Sequence, residues 1–333
     1  MPAPAATGSI VPVLSILPWD IAPLLKQRSR KLWGELPVMI GPDGSLITVP
    51  VGLVVGAQSG PTAYVGAGAH GDEYNSMEIT RRLIQELDPP AVNGVVIGIP
   101  VQNPIALASG QRTIPNQPWD SDLNRQFPGQ AGGAFTARLA HRVFSLVARA
   151  NLVVDLHTAT SGDRYVPLAY LPGRDLVLER SREMAKAFGV EVIVETPIAG
   201  TLIGAANDAG IPGIIVELGA GGLLERRIVE FGVHGTQRVL GLAGILDSNE
   251  RVHADPVVVK ELVPVRTECG GWFHSFGEAG DRVRAGAAIG EVTRVPDTIE
   301  TLTAPCDGVV ARRATRGLVL AGDKVFLIAQ VRA

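Results

Sequence analysis

From about Pro61 to Gly219 the apolar and polar positions follow two alternating rhythms. Short apolar runs of strand length recur as TAYVGA, VNGVVIGIPV, NLVVDLH, EVIVE and GIIVEL, each leading into glycine or polar residues. Between them lie stretches with helical spacing, such as Met77, Ile79, Leu83, Ile84 and Leu87 in NSMEITRRLIQEL. AFTARLAHRVFSLVARA, SREMAKAFG and TLIGAANDAG read the same way, the last closed by Gly210. Strands alternating with helices predict an α/β layer fold around a mixed, mainly parallel sheet. Uncharged, β-branched strand interiors suit strands covered on both faces.

The pattern differs on either side of this region. LPVMIGP and SLITVPVGLVVG predict a hairpin on the edge of the main sheet, within an N-terminal β segment over 1–60. After about Asp255 helical periodicity stops, and short strands alternate with Gly-Asp and Pro-containing turns. We therefore expect a larger domain over 1–254 and a small all-β domain over 255–333.

Composition narrows the partners. Hydrophobic residues make up 46% and charged residues 19% of the 333, a globular balance. The net charge is −3 and no Lys/Arg block stands out, which argues against nucleic acid or an anionic membrane and leaves small molecules. Pro12, Pro18 and Asp20 interrupt the apolar N-terminal stretch, and no basic residue precedes it, so neither a membrane span nor a signal peptide is expected. Two cysteines, Cys269 and Cys306, make no metal motif and no disulfide framework; the expectation is a reduced, cytoplasmic protein.

The residue types that carry chemistry gather at predicted strand ends. In GAHGDE, His70 and Glu73 stand three apart, a spacing that shares one face in a first helical turn. His157 ends VVDLH, and ligands of open α/β sheets collect beyond the carboxyl ends of strands. Two imidazoles and a carboxylate with a fourth position free form a usual catalytic zinc set. A single ion with bonds of ~2 Å requires the ring nitrogens of His70 and His157 to lie within about 6 Å. The same residues also serve, elsewhere, as a turn cap, a first-turn acid and a core histidine. Glu217 follows four apolar residues and precedes a Gly-rich turn, a costly place for an idle carboxylate and a useful one for a general base. Arg112, Asn124 and Arg125 lie in a long segment rich in Asn, Pro, Asp and Gly, where a guanidinium can bind a carboxylate or an oxyanion. Asp155 shares the alternation of His157 and fits either a partner for that imidazole or a structural role.

In this order, GAHGDE, NP…R…DLNRQFPG, VVDLHT and IIVELG resemble the succinylglutamate desuccinylase/aspartoacylase family, a branch of the zinc carboxypeptidase-like fold. The resemblance implies one Zn2+ held by His70, Glu73 and His157, with Glu217 as general acid/base. It further implies that Arg112 polarises the scissile carbonyl while Asn124 and Arg125 hold a substrate carboxylate. The chain lacks an arginine in TLIGAANDAGIPG before Glu217, and TIPNQPWDSDL is longer than in aspartoacylase. Both departures bring it nearer the N-acetyl-2,4-diaminobutyrate deacetylase-type members. The C-terminal hairpins resemble biotinyl/lipoyl domains, yet Lys324 in AGDKVF does not sit in a carrier tip motif. That segment is expected to cover one side of a cleft or to build an oligomer contact. The sequence reading is a zinc-dependent deacylase of small N-acyl amino acids. The alternatives are a zinc carboxypeptidase and a non-catalytic metal- or ligand-binding protein.

Overall fold

A computed structural model describes residues 14–41, 43–117, 120–247 and 255–331. Part of the N-terminal stretch behind the signal-peptide expectation, and the expected boundary at 254, lie outside the described residues. The chain runs β1 (Ser15–Ile16), β2 (Arg30–Ile40), β3 (Leu46–Val55), β4 (Gln58–Ala67), α1 (Tyr74–Glu86), β5 (Asn93–Ile99), α2 (Pro104–Ser109) and α3 (Phe135–Val147). It continues through β6 (Leu152–His157), β7 (Asp163–Tyr170), α4 (Asp175–Phe188), β8 (Val192–Val194), α5 (Leu202–Asp208), β9 (Gly213–Ala220) and α6 (Arg226–Leu242). The C-terminal strands are β10 (Val257–Val259), β11 (Val263–Arg266), β12 (Gly271–Ser275), β13 (Arg282–Val283), β14 (Ala288–Arg294), β15 (Asp297–Thr303), β16 (Gly308–Ala314), β17 (Leu318–Val319) and β18 (Lys324–Gln330).

One large sheet organises the molecule, with strands in the order β1-β2-β3-β5-β4-β6-β9-β7-β16-β18-β11. Its centre, β5-β4-β6-β9, is parallel, as βα alternation requires. The expected hairpin is β2–β3, joined antiparallel to β5 at that side of the sheet. Side-chain alternation divides the strand residues between two apolar layers. Val65, Val154 and Val216 face α1, α4 and α6, with Ile79, Phe188 and Val233. Tyr64, Val153 and Ile215 face α3 and α5, with Val143 and Ile203. Burying both faces explains why the central strands read as continuous apolar runs.

Helix α6 and strand β7 escaped the pattern reading, as did α2, which lies in a segment expected to be a loop. Helix α6 buries Val229, Val233, Val239 and Leu240, a helical spacing that the glycines and charges around it obscured. Strand β7 enters antiparallel beside β9, where periodicity alone carries no strand order. The C-terminal strands make a second, four-stranded sheet, β15-β14-β12-β17, but they also join the main one. Strand β16 pairs with β7, placing Arg312 opposite Tyr165 and Arg313 opposite Arg164. No helix of the described residues is long and apolar enough to cross a membrane.

Candidate active site

Strand register brings the first functional residues together. In the parallel pair β6–β9, Asp155 lies beside Ile215 and His157 beside Glu217, all on the α3/α5 face at the carboxyl ends of the strands. On β4, Gly66 is the partner of Asp155. A Cβ on Gly66 would meet Gln102 Nε2 at 2.2 Å, so the glycine leaves room for the Gln102 amide, which donates to Asp155 Oδ1 at 3.1 Å.

His70 and Glu73 arrive on the turn after β4. The expectation of a shared first helical turn is corrected here: Glu73 is the residue preceding α1, with φ −101° and ψ 63°, and His70 lies before it in the turn. The turn does what the helix was expected to do. His70 Nδ1 lies 2.6 Å from Glu73 Oε1, and His157 Nδ1 lies 2.8 Å from Glu73 Oε2. One ligand atom from each of the three falls within 4.8 Å of the others, inside the limit set from the sequence. All three side chains are buried.

Each imidazole is held from behind by a second carboxylate. His70 Nε2 lies 3.1 Å from Asp122 Oδ1, and His157 Nε2 lies 3.1 Å from Asp155 Oδ2. An Nε2–H donated to a carboxylate fixes the tautomer whose Nδ1 lone pair faces Glu73. Burial opposes charge on both rings, but Glu73 and the carboxylates behind them win and raise both pKa values. Burial likewise works against the Glu73 carboxylate, yet the two imidazoles hold it well below the ordinary range. Two nitrogen donors and one carboxylate converging on one point, each ring oriented from outside, fit a divalent metal such as zinc. Asp122 was not singled out in the sequence; the only signal was its place just ahead of Asn124-Arg125.

Glu217 lies within β9, which runs three residues beyond it to Ala220. Its Oε2 is shut away from solvent without a hydrogen-bond partner among the described residues. Burial raises the carboxyl pKa and Glu73 adds to the rise, while His157, Arg112 and His70 draw it down; it stands at about 7. That value suits a group that must both take and return a proton near neutrality.

The three remaining predicted residues line the same cavity, whose volume is about 650 Å³. Arg112 donates through Nη1 to Thr160 Oγ1 at 2.9 Å and to Glu73 Oε1 at 3.3 Å, and its Nη2 lies 3.5 Å from Asp122 Oδ2. Asn124 is buried; its Oδ1 accepts from the Leu202 N–H at 2.9 Å, and its Nδ2 lies 3.2 Å from His157 Nε2. Once that Nε2 gives its hydrogen to Asp155, it cannot accept from Asn124, whose amide hydrogens are then free for a ligand. Arg125, at the end of a one-turn 3-10 helix, is exposed and donates to the Asn124 carbonyl at 2.6 Å.

The rest of the cavity comes from residues the motifs did not reach. Tyr165 and Tyr170 of β7 line it. Burial keeps both phenols protonated, pushing Tyr170 up to about 12. Arg266, Arg312, Arg316, Asp323 and Lys324 form the outer wall, brought there by the pairing of β16 with β7. Nothing within the local sequence of these residues signals that they stand over His70, Glu73 and His157, more than a hundred positions upstream.

The family model for the succinylglutamate desuccinylase/aspartoacylase catalytic domain matches residues 59–243. An N-alpha-acetyl-L-2,4-diaminobutyric acid deacetylase of Halomonas elongata is 30% identical over 90% of this chain and 91% of its own length. A succinylglutamate desuccinylase of Pseudomonas paraeruginosa is also 30% identical, over 46% of this chain and 47% of the relative. Among solved structures, the product-bound ectoine utilization protein EutE (DoeB) from Ruegeria pomeroyi superposes with a TM-score of 0.79 at 27% identity, covering 92% of this chain and 97% of that one.

Proposed function

We propose that this chain, which belongs to the succinylglutamate desuccinylase/aspartoacylase family, is a zinc-dependent hydrolase that removes the acyl group from a small N-acyl amino acid. The observation that carries the reading is the convergence of His70, Glu73 and His157 beside the unpartnered carboxylate of Glu217. When bound by the trio, the divalent cation supplies Lewis acidity to a substrate carbonyl and makes water a stronger acid.

The chain's own groups account for the remaining steps. Glu217 takes a proton from the attacking water and returns it to the departing nitrogen, a double duty that a carboxyl titrating near 7 performs at low cost. Arg112, anchored on Thr160 and Glu73, donates to the carbonyl oxygen as negative charge develops there. Arg125 and the Asn124 amide bind the substrate carboxylate, which fixes the scissile bond over Glu217. Asp122 and Asp155 keep both imidazoles in the donor tautomer.

A cavity of about 650 Å³, walled on its outer side by C-terminal strands, suits a small ligand better than a peptide. This favours deacylation over the carboxypeptidase alternative. The relatives named for N-acetyldiaminobutyrate and succinylglutamate bracket the acyl groups to try first. The test is a screen of N-acetyl, N-succinyl and N-formyl amino acids with zinc-loaded protein, read as release of free amine. We expect turnover that a chelator abolishes and zinc restores. Binding of these compounds with no hydrolysis of any would overturn the reading.

A further inference from the structure

Behind His157 lies a polar cluster to which the proposed reaction gives no full account. Asp155, Gln102 and Tyr64 are all fully buried. Asp155 is bonded through both oxygens: Oδ2 stands 3.1 Å from His157 Nε2, and Oδ1 accepts from Gln102 Nε2 at 3.1 Å. Gln102 Oε1 and the Tyr64 hydroxyl have no hydrogen-bond partner among the described residues. Burial, with the Asp155 charge adding to it, holds the Tyr64 phenol well above its ordinary pKa. A Cβ on Gly66 would meet Tyr64 Oη at 3.0 Å as well as the Gln102 amide, so one bare position makes room for both side chains. The Gln102 backbone is pinned to the end of β4, its N–H donating to the Ala67 carbonyl at 2.9 Å.

This cluster is a poor way to stabilise a core. Buried polar atoms without partners cost stability that apolar groups of the same shape would not. Its effect falls on His157, whose Nε2 stands between two neighbours, Asp155 Oδ2 at 3.1 Å and Asn124 Nδ2 at 3.2 Å. Donating to Asp155 leaves the Nδ1 lone pair facing Glu73, where a metal can take it. Accepting from Asn124 requires the other tautomer, whose hydrogen sits on Nδ1 and shuts the metal out. The choice therefore depends on how firmly Asp155 Oδ2 is aimed at the ring. A carboxylate turns about its last bond, and a donor on its far oxygen fixes that turn. Among the described residues, the Gln102 amide is the side chain that bonds Oδ1.

We propose that Gln102 is a positioning residue for the metal site. By holding Asp155 in one orientation, it selects the metal-binding tautomer of His157 against the one that Asn124 would favour. The residue touches neither substrate nor metal and acts only through Asp155.

Chelator competition provides the first test. Zinc affinity is measured for wild type and for Gln102→Met, which keeps the length of the side chain and loses the donor. The same substitution is then placed on Asp155→Asn and on Asp122→Asn. On wild type and on Asp122→Asn it should weaken zinc about tenfold, the lower end of what an imidazole's lost partner costs. On Asp155→Asn the further loss should stay under about threefold, because a residue that works through Asp155 has nothing left to aim. Unchanged affinity in Gln102→Met, or an equal loss in all three backgrounds, overturns the proposal; the equal loss is what packing alone would give. Neutron diffraction from zinc-loaded wild type supplies a readout that needs no variant to fold. It should show a Gln102 Nε2 hydrogen directed at Asp155 Oδ1 and the His157 Nε2 hydrogen directed at Oδ2. Gln102 Oε1 turned to Asp155, or the His157 hydrogen aimed elsewhere, overturns it too. All of this rests on the metal site of the deacylase reading and not on its chemistry. Zinc binding with these dependences but no hydrolysis of any N-acyl amino acid refutes the reaction alone, whereas wild type that binds no divalent ion refutes both.

Discussion

Replacing Glu217 by glutamine should remove activity and strengthen the fold in one step. The folded chain lifts this carboxyl from 4.5 to about 7, burial being the largest cause. At about 1.4 kcal/mol for each tenfold, holding the ionised form costs the fold about 3 kcal/mol at alkaline pH. Part of the side chain reaches the cavity, which reduces the expected gain from the neutral isostere to about 2 kcal/mol. The sign follows from proton counting. An acid whose folded pKa lies above its unfolded one binds more protons when folded, so stability falls as pH rises from 4.5 to 7 and is level beyond. Glu217→Gln lacks that fall. Thermal unfolding of the metal-free proteins should show the variant higher by roughly 3 °C at pH 8, with the difference nearly gone at pH 4.5. Zinc-loaded variant should keep its metal and lose 10²–10⁴-fold in kcat, the range expected on removing a general base. Equal melting temperatures at pH 8, or a gain that does not depend on pH, would refute burial as the origin of the shift. Turnover at the wild-type rate would remove Glu217 from the chemistry.

The other expectations concern the metal trio and its support. Asp122→Asn and Asp155→Asn should each weaken zinc affinity by about 10–100-fold in a chelator competition, because each holds an imidazole in the donor tautomer. Zinc must displace protons from rings whose pKa values are raised, so affinity should drop as pH falls and binding should release protons into buffer. Calorimetry in two buffers of different ionisation enthalpy measures that release, and identical heats would contradict it. Arg112→Lys should retain zinc but lose about 100-fold in kcat, since an ammonium cannot span Thr160 and Glu73 as the fork does. Gly66→Ala should lower unfolding free energy by about 1–3 kcal/mol in a urea titration, because its Cβ meets the Gln102 amide.

The proposed trio was readable because its members stand where sheets present ligands. His157 ends a strand whose apolar run is unmistakable, and His70 and Glu73 follow another, so both places could be found without a structure. The helical geometry assumed for His70 and Glu73 was wrong, because a turn and a first helical turn leave the same spacing in sequence. Asp122 shows another limit. It orients His70 across 52 positions from a loop with no periodicity, and an acid in a loop looks like any turn residue. Helix α6 was a local signal left unread, since its apolar spacing is present.

What the sequence by itself determined is the parallel centre of the sheet, the turn after β4 and the end of β6 that carry His70 and His157, and the family to which these motifs belong. These follow from side-chain period and local residue type, which chain neighbours alone specify. Tertiary structure decided that β16 docks on β7 and carries Arg312 and its neighbours over the site. It also decided that Asp122 and Asp155 stand behind the imidazoles, and that one oxygen of Glu217, Oε2, is shut away from solvent. The physical reason is common to all three. A charge acquires its role from what surrounds it in space, and those surroundings come from segments that no local pattern connects.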